Sequence, residues 1–272
     1  MLQTVQKIGP VLDLFTLERP EWGVSEVAEQ IGVPRSSAHA LLASLVEIGL
    51  LQCRTRGRYR IGWRVVEMNE TLRGSVDVRS TAAPVLQDLV DRYGETTHLA
   101  VMERWKVLYI DKVPGNHVIN VVGARVGAQL DPHCSAVGKM LLAYREPEEV
   151  RRVLGEKPLR RLTPSTITNP VALAQELASI RSAGCSFDAG EAVSEVHCVA
   201  APVRDDMGSV VAAVSVTVPV SRFVQQRNEL RKAVVGAAAD ISRRLSGTSV
   251  PELALVRDDL TGLPSRQSVA AG

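Results

Sequence analysis

The chain has 272 residues, enough for one large domain or two modest ones that each bury a core. Apolar residues make up 45 %, charged residues 23 % and aromatics 4 %, and the formal net charge is only +2. This is ordinary for a soluble globular protein, it argues against stacking on single-stranded nucleic acid, and it leaves any nucleic-acid signal to local clustering.

Taken in chain order, Val5, Ile8, Leu12 and Phe15 share one helical face, which predicts a helix over Thr4 to Leu17. Arg19 to Gly23 breaks it. A short second helix is expected from Ser25 as N-cap, with Val27, Ala28 and Ile31 inward and Gly32 as its stop. A third opens at Pro34; Ala38, Leu41, Leu42 and Leu45 form its apolar stripe and Gly49 ends it. Leu50 and Leu51 then start a hairpin that turns at Arg56-Gly57 and returns through Tyr59 and Ile61. Trp63 to Leu72 reads as a helical linker, with a break at Gly74, and Val78 to Tyr93 as a longer helix.

From Thr96 the period changes. His98–Met102 and Val107–Val113 read as strands around the turn Glu103–Lys106, and Val118–Val122 as another. Helices are expected at Ala136–Tyr144, from Pro147, and at Pro170–Ala183. Val196–Val203 and Ser209–Val218 form a hairpin across Arg204–Gly208, and Arg222–Leu245 is the last helix. The tail after Ser246 lacks sustained periodicity and reads as mobile. The hairpins predict an α+β fold with an antiparallel sheet rather than a doubly wound one. The expected domains are 1–62, a linker at 63–77, a second domain at 78–246 and a tail at 247–272.

Two helices joined through a glycine turn, followed by a hairpin, have the form of a winged helix-turn-helix. The second helix of the pair would enter a major groove of double-stranded DNA and read it with Arg35, Ser36, Ser37 and His39. Arg54, Arg56, Arg58, Arg60 and Arg64 alternate with other residues and have no acid among them. Alternation places several of these guanidinium groups on one strand face, a positive ridge suited to phosphates.

The four cysteines, Cys53, Cys134, Cys185 and Cys198, are widely spaced without a CxxC pair. A disulfide framework or zinc knuckle is not expected, and a reducing cytoplasm fits. No signal peptide is apparent, and no apolar run approaches the ~20 residues of a membrane span. His133-Cys134 and His197-Cys198 raise a rival reading, a metal-dependent or thiol-based sensor or enzyme. Neighbours on a strand point to opposite faces, however, and no third group orients a thiol. No cofactor and no catalytic activity are expected.

The block Val27 to His39 followed by Leu41–Leu45, and the wing exit Gly57–Gly62, resemble the IclR family of bacterial transcription regulators. Gly94–Val101, His133–Lys139, Leu162–Thr168 and Cys198–Val203 are similar to its second-domain motifs, in the same order. The resemblance runs from about Thr4 to Leu245. It implies a GAF-like domain that binds a small-molecule effector, often a small organic or aromatic acid. It also implies a symmetric dimer, often paired into a dimer of dimers, on a pseudo-palindromic operator, commonly as a repressor. Matched by motif, the effector pocket would be lined by Ala136, Val137, Asp188, Cys198, Ser215 and Thr217, with Asp188 in a loop before its strand. Two departures stand out. Ala40 occupies a position where the family often has arginine, and Ser194-Glu195 stands where it tends to have Pro-Gly.

Overall fold

The computed structural model describes residues 3–54, 57–75, 77–116, 124–155 and 159–247. The expected strand at Val118–Val122, the hairpin tip at Arg56 and the tail from residue 248 lie outside them. The chain divides into two units, one ending at Asp77 and the other starting at Val78.

The first unit contains α1 (Gln3–Asp13), β1 (Trp22–Gly23), α2 (Val24–Gln30), α3 (Arg35–Glu47), β2 (Leu51–Arg54), β3 (Arg58–Ile61) and α4 (Arg64–Ser75). α1 stops four residues short of the predicted Leu17. The Trp22 indole N–H donates to the Leu14 carbonyl at 2.8 Å, taking an acceptor that a further helical turn would need. α2 is not capped by Ser25. Gly23 is its N-cap, and the Glu26 carboxylate reaches back to accept the Gly23 N–H at 2.7 Å. The α3 stripe of Ala38, Leu41, Leu42 and Leu45 is buried against Val11, Trp22, Val27, Leu51 and Tyr59. The small antiparallel sheet has the order β1-β3-β2. α4 ends at Ser75, one residue past the break that the sequence predicts at Gly74.

The second unit contains α5 (Asp77–Tyr93), β4 (Thr96–Glu103), β5 (Lys106–Val113), β6 (Gln129–Leu130), a 3-10 turn at Pro132–Cys134, α6 (Ala136–Ala143), α7 (Pro147–Leu154), α8 (Pro170–Ala183), β7 (Ser186–Ala189), β8 (Val196–Arg204), β9 (Val210–Pro219) and α9 (Val220–Gly247). The sheet is antiparallel throughout, in the order β6-β5-β4-β9-β8-β7.

Alternation along the strands sorts the two faces. Leu99, Val199, Val214, Val216 and Val218 pack against α5 and α9 through Leu86, Leu230, Val234 and Ile241. Ala100, Ala200 and Ala213 face α6 and α8 through Met140, Leu173 and Leu177. Those alanines are small enough to let α6 lie close to the sheet.

β7 corrects the placement of Asp188, which belongs to an edge strand paired to Cys198 and not to a loop. Four residues with polar side chains on the buried face give no periodic apolar signal.

α6 begins under a tight constraint. A Cβ built on Gly138 would lie 2.2 Å from the Pro132 carbonyl oxygen, a backbone atom that cannot turn aside. Gly138→Ala is therefore expected to destabilise the second unit by about 1–3 kcal/mol in urea denaturation. Gly236→Ala, in α9 with open space around it, is expected to be neutral or stabilising by up to about 1 kcal/mol.

Candidate DNA-reading face and effector cavity

The first turn of α3 presents Arg35, Ser36 and His39 to solvent, with Ser37 half-buried. No side chain caps this helix start, so its amides remain available to an anion. In the hairpin, Arg54 pairs across from Arg58 and Gln52 from Arg60, so all four share one face. Leu51 and Tyr59 occupy the other face and enter the core.

The arginines of this face differ in what they hold. Arg54 is exposed. The Arg60 guanidinium donates twice to the neutral Gln52 Oε1, at 2.9 and 3.2 Å, which orients it without cancelling its charge. Arg58 is committed inside the unit: Nη1 meets Glu26 Oε2 at 2.6 Å and Nη2 donates to the Glu21 carbonyl at 2.9 Å. Glu26 also pairs with Arg19, whose guanidinium lies 3.4 Å over the Trp22 ring. The Gly23 N–H, with Arg19 and Arg58 nearby, holds the Glu26 carboxyl below the usual carboxylate range. One carboxylate thus ties the start of α2 to the wing strand. Arg64 belongs to α4, not to the wing, and donates to the Ile48 carbonyl at 2.6 Å.

In the second unit, a cavity of about 340 Å³ opens between the sheet and the start of α6. Ala136, Val137, Asp188, Cys198, Ser215 and Thr217 all line it, although they come from α6, β7, β8 and β9. The strand register brings this about: His98 pairs with Ser215, Thr217 with Cys198, and Cys198 with Asp188. Their side chains share the α6 face and interrupt an otherwise apolar sheet. Thr217 Oγ1 lies 3.4 Å from His98 Nδ1 and 3.3 Å from Cys198 Sγ. Ser135 caps α6 by accepting the Gly138 N–H, and Ser186 donates to the Ala136 carbonyl at 2.5 Å, fixing the helix start against β7.

Sequence reasoning did not pick out His98, Tyr109 and Arg160, which also line the cavity. His98 lies two residues before Ala100 on the same strand face, so period-two counting could have found it. Burial, with the Lys112 charge second, lowers its pKa to about 3, and the ring is neutral. Ser194 and Glu195 are exposed and are not among the lining residues; their neighbours Ala192, Val193 and Val196 are. A separate cleft of about 190 Å³ is lined mainly by apolar side chains of α7 and α8.

A buried ionic cluster backs the cavity wall. Lys139, 1 % exposed, places Nζ 2.5 Å from Glu191 Oε1 and 3.0 Å from Glu176 Oε1. Thr163 and Thr166 donate to the Gly190 and Glu191 carbonyls at 2.6 and 2.7 Å, which gives the Leu162–Thr168 motif a role in pinning this turn. The Glu191 N–H in turn donates to Asp188 Oδ1 at 2.5 Å. Burial, together with the Glu191 charge and against that hydrogen bond, raises the Asp188 pKa to about 7.

The rival metal or thiol chemistry finds no support. Among the described residues no group of three His, Cys, Asp or Glu could hold a metal ion. His197 packs on Phe223, across the sheet from Cys198. Burial raises the Cys134 thiol to about 12 and pushes Cys198 higher still, so neither offers a thiolate near neutral pH. No helix among the described residues is long and apolar enough to cross a membrane.

Residues 4–54 match the family model described as the IclR helix-turn-helix domain, and residues 71–243 match bacterial transcriptional regulator IclR C-terminal. The chain is 32 % identical to the transcriptional regulator XynR of Escherichia coli (strain K12), over 82 % of this chain and 88 % of the relative. It is 31 % identical to the transcriptional repressor IclR of the same strain, over 82 % and 83 %. Among solved structures, an IclR homologue from Microbacterium hydrocarbonoxydans complexed with 4-hydroxybenzoate superposes with a TM-score of 0.78 at 31 % identity, covering 89 % of this chain and 99 % of that one. A winged helix-turn-helix with an exposed polar edge on α3, a cavity-bearing antiparallel α+β unit and these matches over both together establish that the chain belongs to the IclR family of DNA-binding transcriptional regulators.

Proposed function

We propose that this regulator is a repressor released or tightened by a small organic or aromatic acid bound in the 340 Å³ cavity. The observation that carries the reading is the convergence of six motif residues, from four separate elements, on one cavity. Amides at the start of α6 and the Arg160 guanidinium suit a carboxylate, and Ser215 and Thr217 supply hydroxyls. The 4-hydroxybenzoate complex of the Microbacterium homologue supports an aromatic acid, and the E. coli repressor supports the sign. The setting is the cytoplasm, where the DNA is.

On DNA, Arg35, Ser36, Ser37 and His39 read the major groove, and Arg54, Arg56 and Arg60 grip the backbone, while Arg58 braces the wing. The active form is a symmetric dimer, alone or paired into a dimer of dimers, on a pseudo-palindromic site. The exposed Val65, Met68 and Leu72, at i, i+3 and i+7 of α4, offer an apolar face for the partner.

Electrophoretic shift with the chain's own upstream DNA tests the assignment. Arg35→Ala and Arg54→Ala are each expected to weaken binding about tenfold or more with unchanged melting temperature. Arg58→Ala is expected to lower the melting temperature of the DNA-binding unit as well. Unchanged affinity in both Arg35→Ala and Arg54→Ala overturns the reading face. For the cavity, benzoate and 4-hydroxybenzoate are expected to raise the melting temperature of the wild type, and Ser215→Trp to abolish the rise.

A further inference from the structure

The cleft between α7 and α8 is separate from the cavity at the start of α6 and has no part in the reading above. Its apolar lining is Leu142, Val150, Leu154, Leu159, Leu173 and Leu177, and the exposed Ala174 of α8 leaves it open where a larger side chain would fill it. An apolar cavity of about 150 Å³ takes a benzene ring. This cleft, at about 190 Å³, has room for one or two aliphatic side chains. Arg145, Arg151 and Arg181 stand among the lining residues. Arg151 pairs with Glu148 at 2.9 Å. Arg181 gives Nε and Nη2 to the Ala143 and Arg145 carbonyls at 2.5 and 2.9 Å. Neither Arg181 nor the exposed Arg145 has a carboxylate partner among the described residues.

The chain itself carries a fitting occupant. Residues 248–272 lie beyond the family match, which ends at residue 243. Their longest apolar run is Leu253-Ala254-Leu255-Val256, and Asp258-Asp259 follows one residue later. An apolar run followed by two carboxylates complements an apolar cleft with two arginines that lack a carboxylate. The end of α9 also lies near that rim. Ser242 Oγ, in the last turns of α9, accepts the Arg204 N–H at 2.9 Å. The Arg204 guanidinium lies 4.6 Å over the Tyr144 ring, and the Tyr144 hydroxyl donates to the Arg181 carbonyl at 3.5 Å. Two side chains thus bridge α9 to the cleft, a path on the order of 20 Å that about six residues of extended chain span. Leu253 is the sixth residue after Gly247. We propose that residues 253–259 seat in the α7–α8 cleft of their own chain, with Leu253, Leu255 and Val256 against its leucines and Asp258 and Asp259 against Arg145 and Arg181.

Hydrogen–deuterium exchange of the full chain, read by mass spectrometry, tests this. In the wild type, the amides of residues 253–259 are expected to exchange about tenfold or more slowly than in the isolated peptide 248–272. Ala174→Trp, which fills the cleft from an exposed position, is expected to cut that protection below threefold. Leu253→Ser with Leu255→Ser, which leaves every described residue in place, is expected to do the same. Arg145→Glu is expected to reduce it at least threefold. Free-peptide rates in the wild type overturn the proposal, as does protection that survives Ala174→Trp in a protein with an unchanged circular dichroism spectrum. Should Ala174→Trp fail to fold, protection that survives the paired serine substitutions overturns it. Protection that grows with protein concentration over a hundredfold range also overturns it, because the cleft is then filled by the tail of a second copy.

Discussion

Lys139→Ala is expected to destabilise the second unit by about 3–5 kcal/mol, the usual cost of removing one partner from a buried ion pair. The lysine is 1 % exposed and holds Glu191, itself 5 % exposed, at 2.5 Å. Glu191 Oε2 already lacks a partner among the described residues, so without Lys139 the whole carboxylate is left buried and uncompensated. Glu176 is one-third exposed and can turn to water. Replacing both buried charges, Lys139→Met with Glu191→Gln, is expected to recover most of the loss. Urea denaturation of the two variants decides it. A single-variant loss under about 1 kcal/mol, or a double variant no better than the single, shows that the cluster is not a coupled pair. The damage is also expected to reach the cavity, because the turn that Lys139 secures supplies the N–H bound to Asp188.

Asp188→Asn is expected to flatten the pH dependence of stability. The Asp188 pKa is raised from 3.8 to about 7, so the folded state retains a proton that the unfolded chain loses. The contribution is complete below about pH 4, where both states are protonated. It declines as pH rises and the unfolded carboxyl ionises first, and it is gone above about pH 7. Three units at 1.36 kcal/mol each set a ceiling of about 4 kcal/mol on the change. Asparagine keeps an oxygen for the Glu191 N–H but has no proton to lose. The stability difference, wild type minus variant, is therefore expected to fall between pH 4 and pH 8. A constant difference would mean that Asp188 ionises normally in the fold.

The two examples also indicate what a sequence can show. The α3 stripe was legible because Ala38, Leu41, Leu42 and Leu45 are local and periodic, and α8 because Pro170 and Gly184 mark both of its ends. The antiparallel sheet followed from hairpins with short polar turns. Asp188, Cys198, Ser215 and Thr217 were reached through family motifs, since they meet by register across three strands, whereas His98 on the fourth was missed. The ionic cluster was not legible, because Lys139, Glu176 and Glu191 are up to 52 residues apart and look like ordinary surface charges in one dimension. The alternation of arginines placed Arg54, Arg58 and Arg60 on one face correctly. It could not reveal that Glu26, 32 residues earlier, pairs with one of them.

That ion pair is expected to influence how DNA binding responds to ionic strength. Each positive side chain that meets a phosphate releases condensed cations from the duplex and steepens the fall of affinity with salt by about 0.9 in the logarithmic slope. Arg58 arrives with its counter-charge already in place, so a phosphate beside it displaces little. On the proposed wing contacts, the salt slope is expected to count Arg54 and Arg60 in the described part of the wing, and Glu26→Gln is expected to steepen it further.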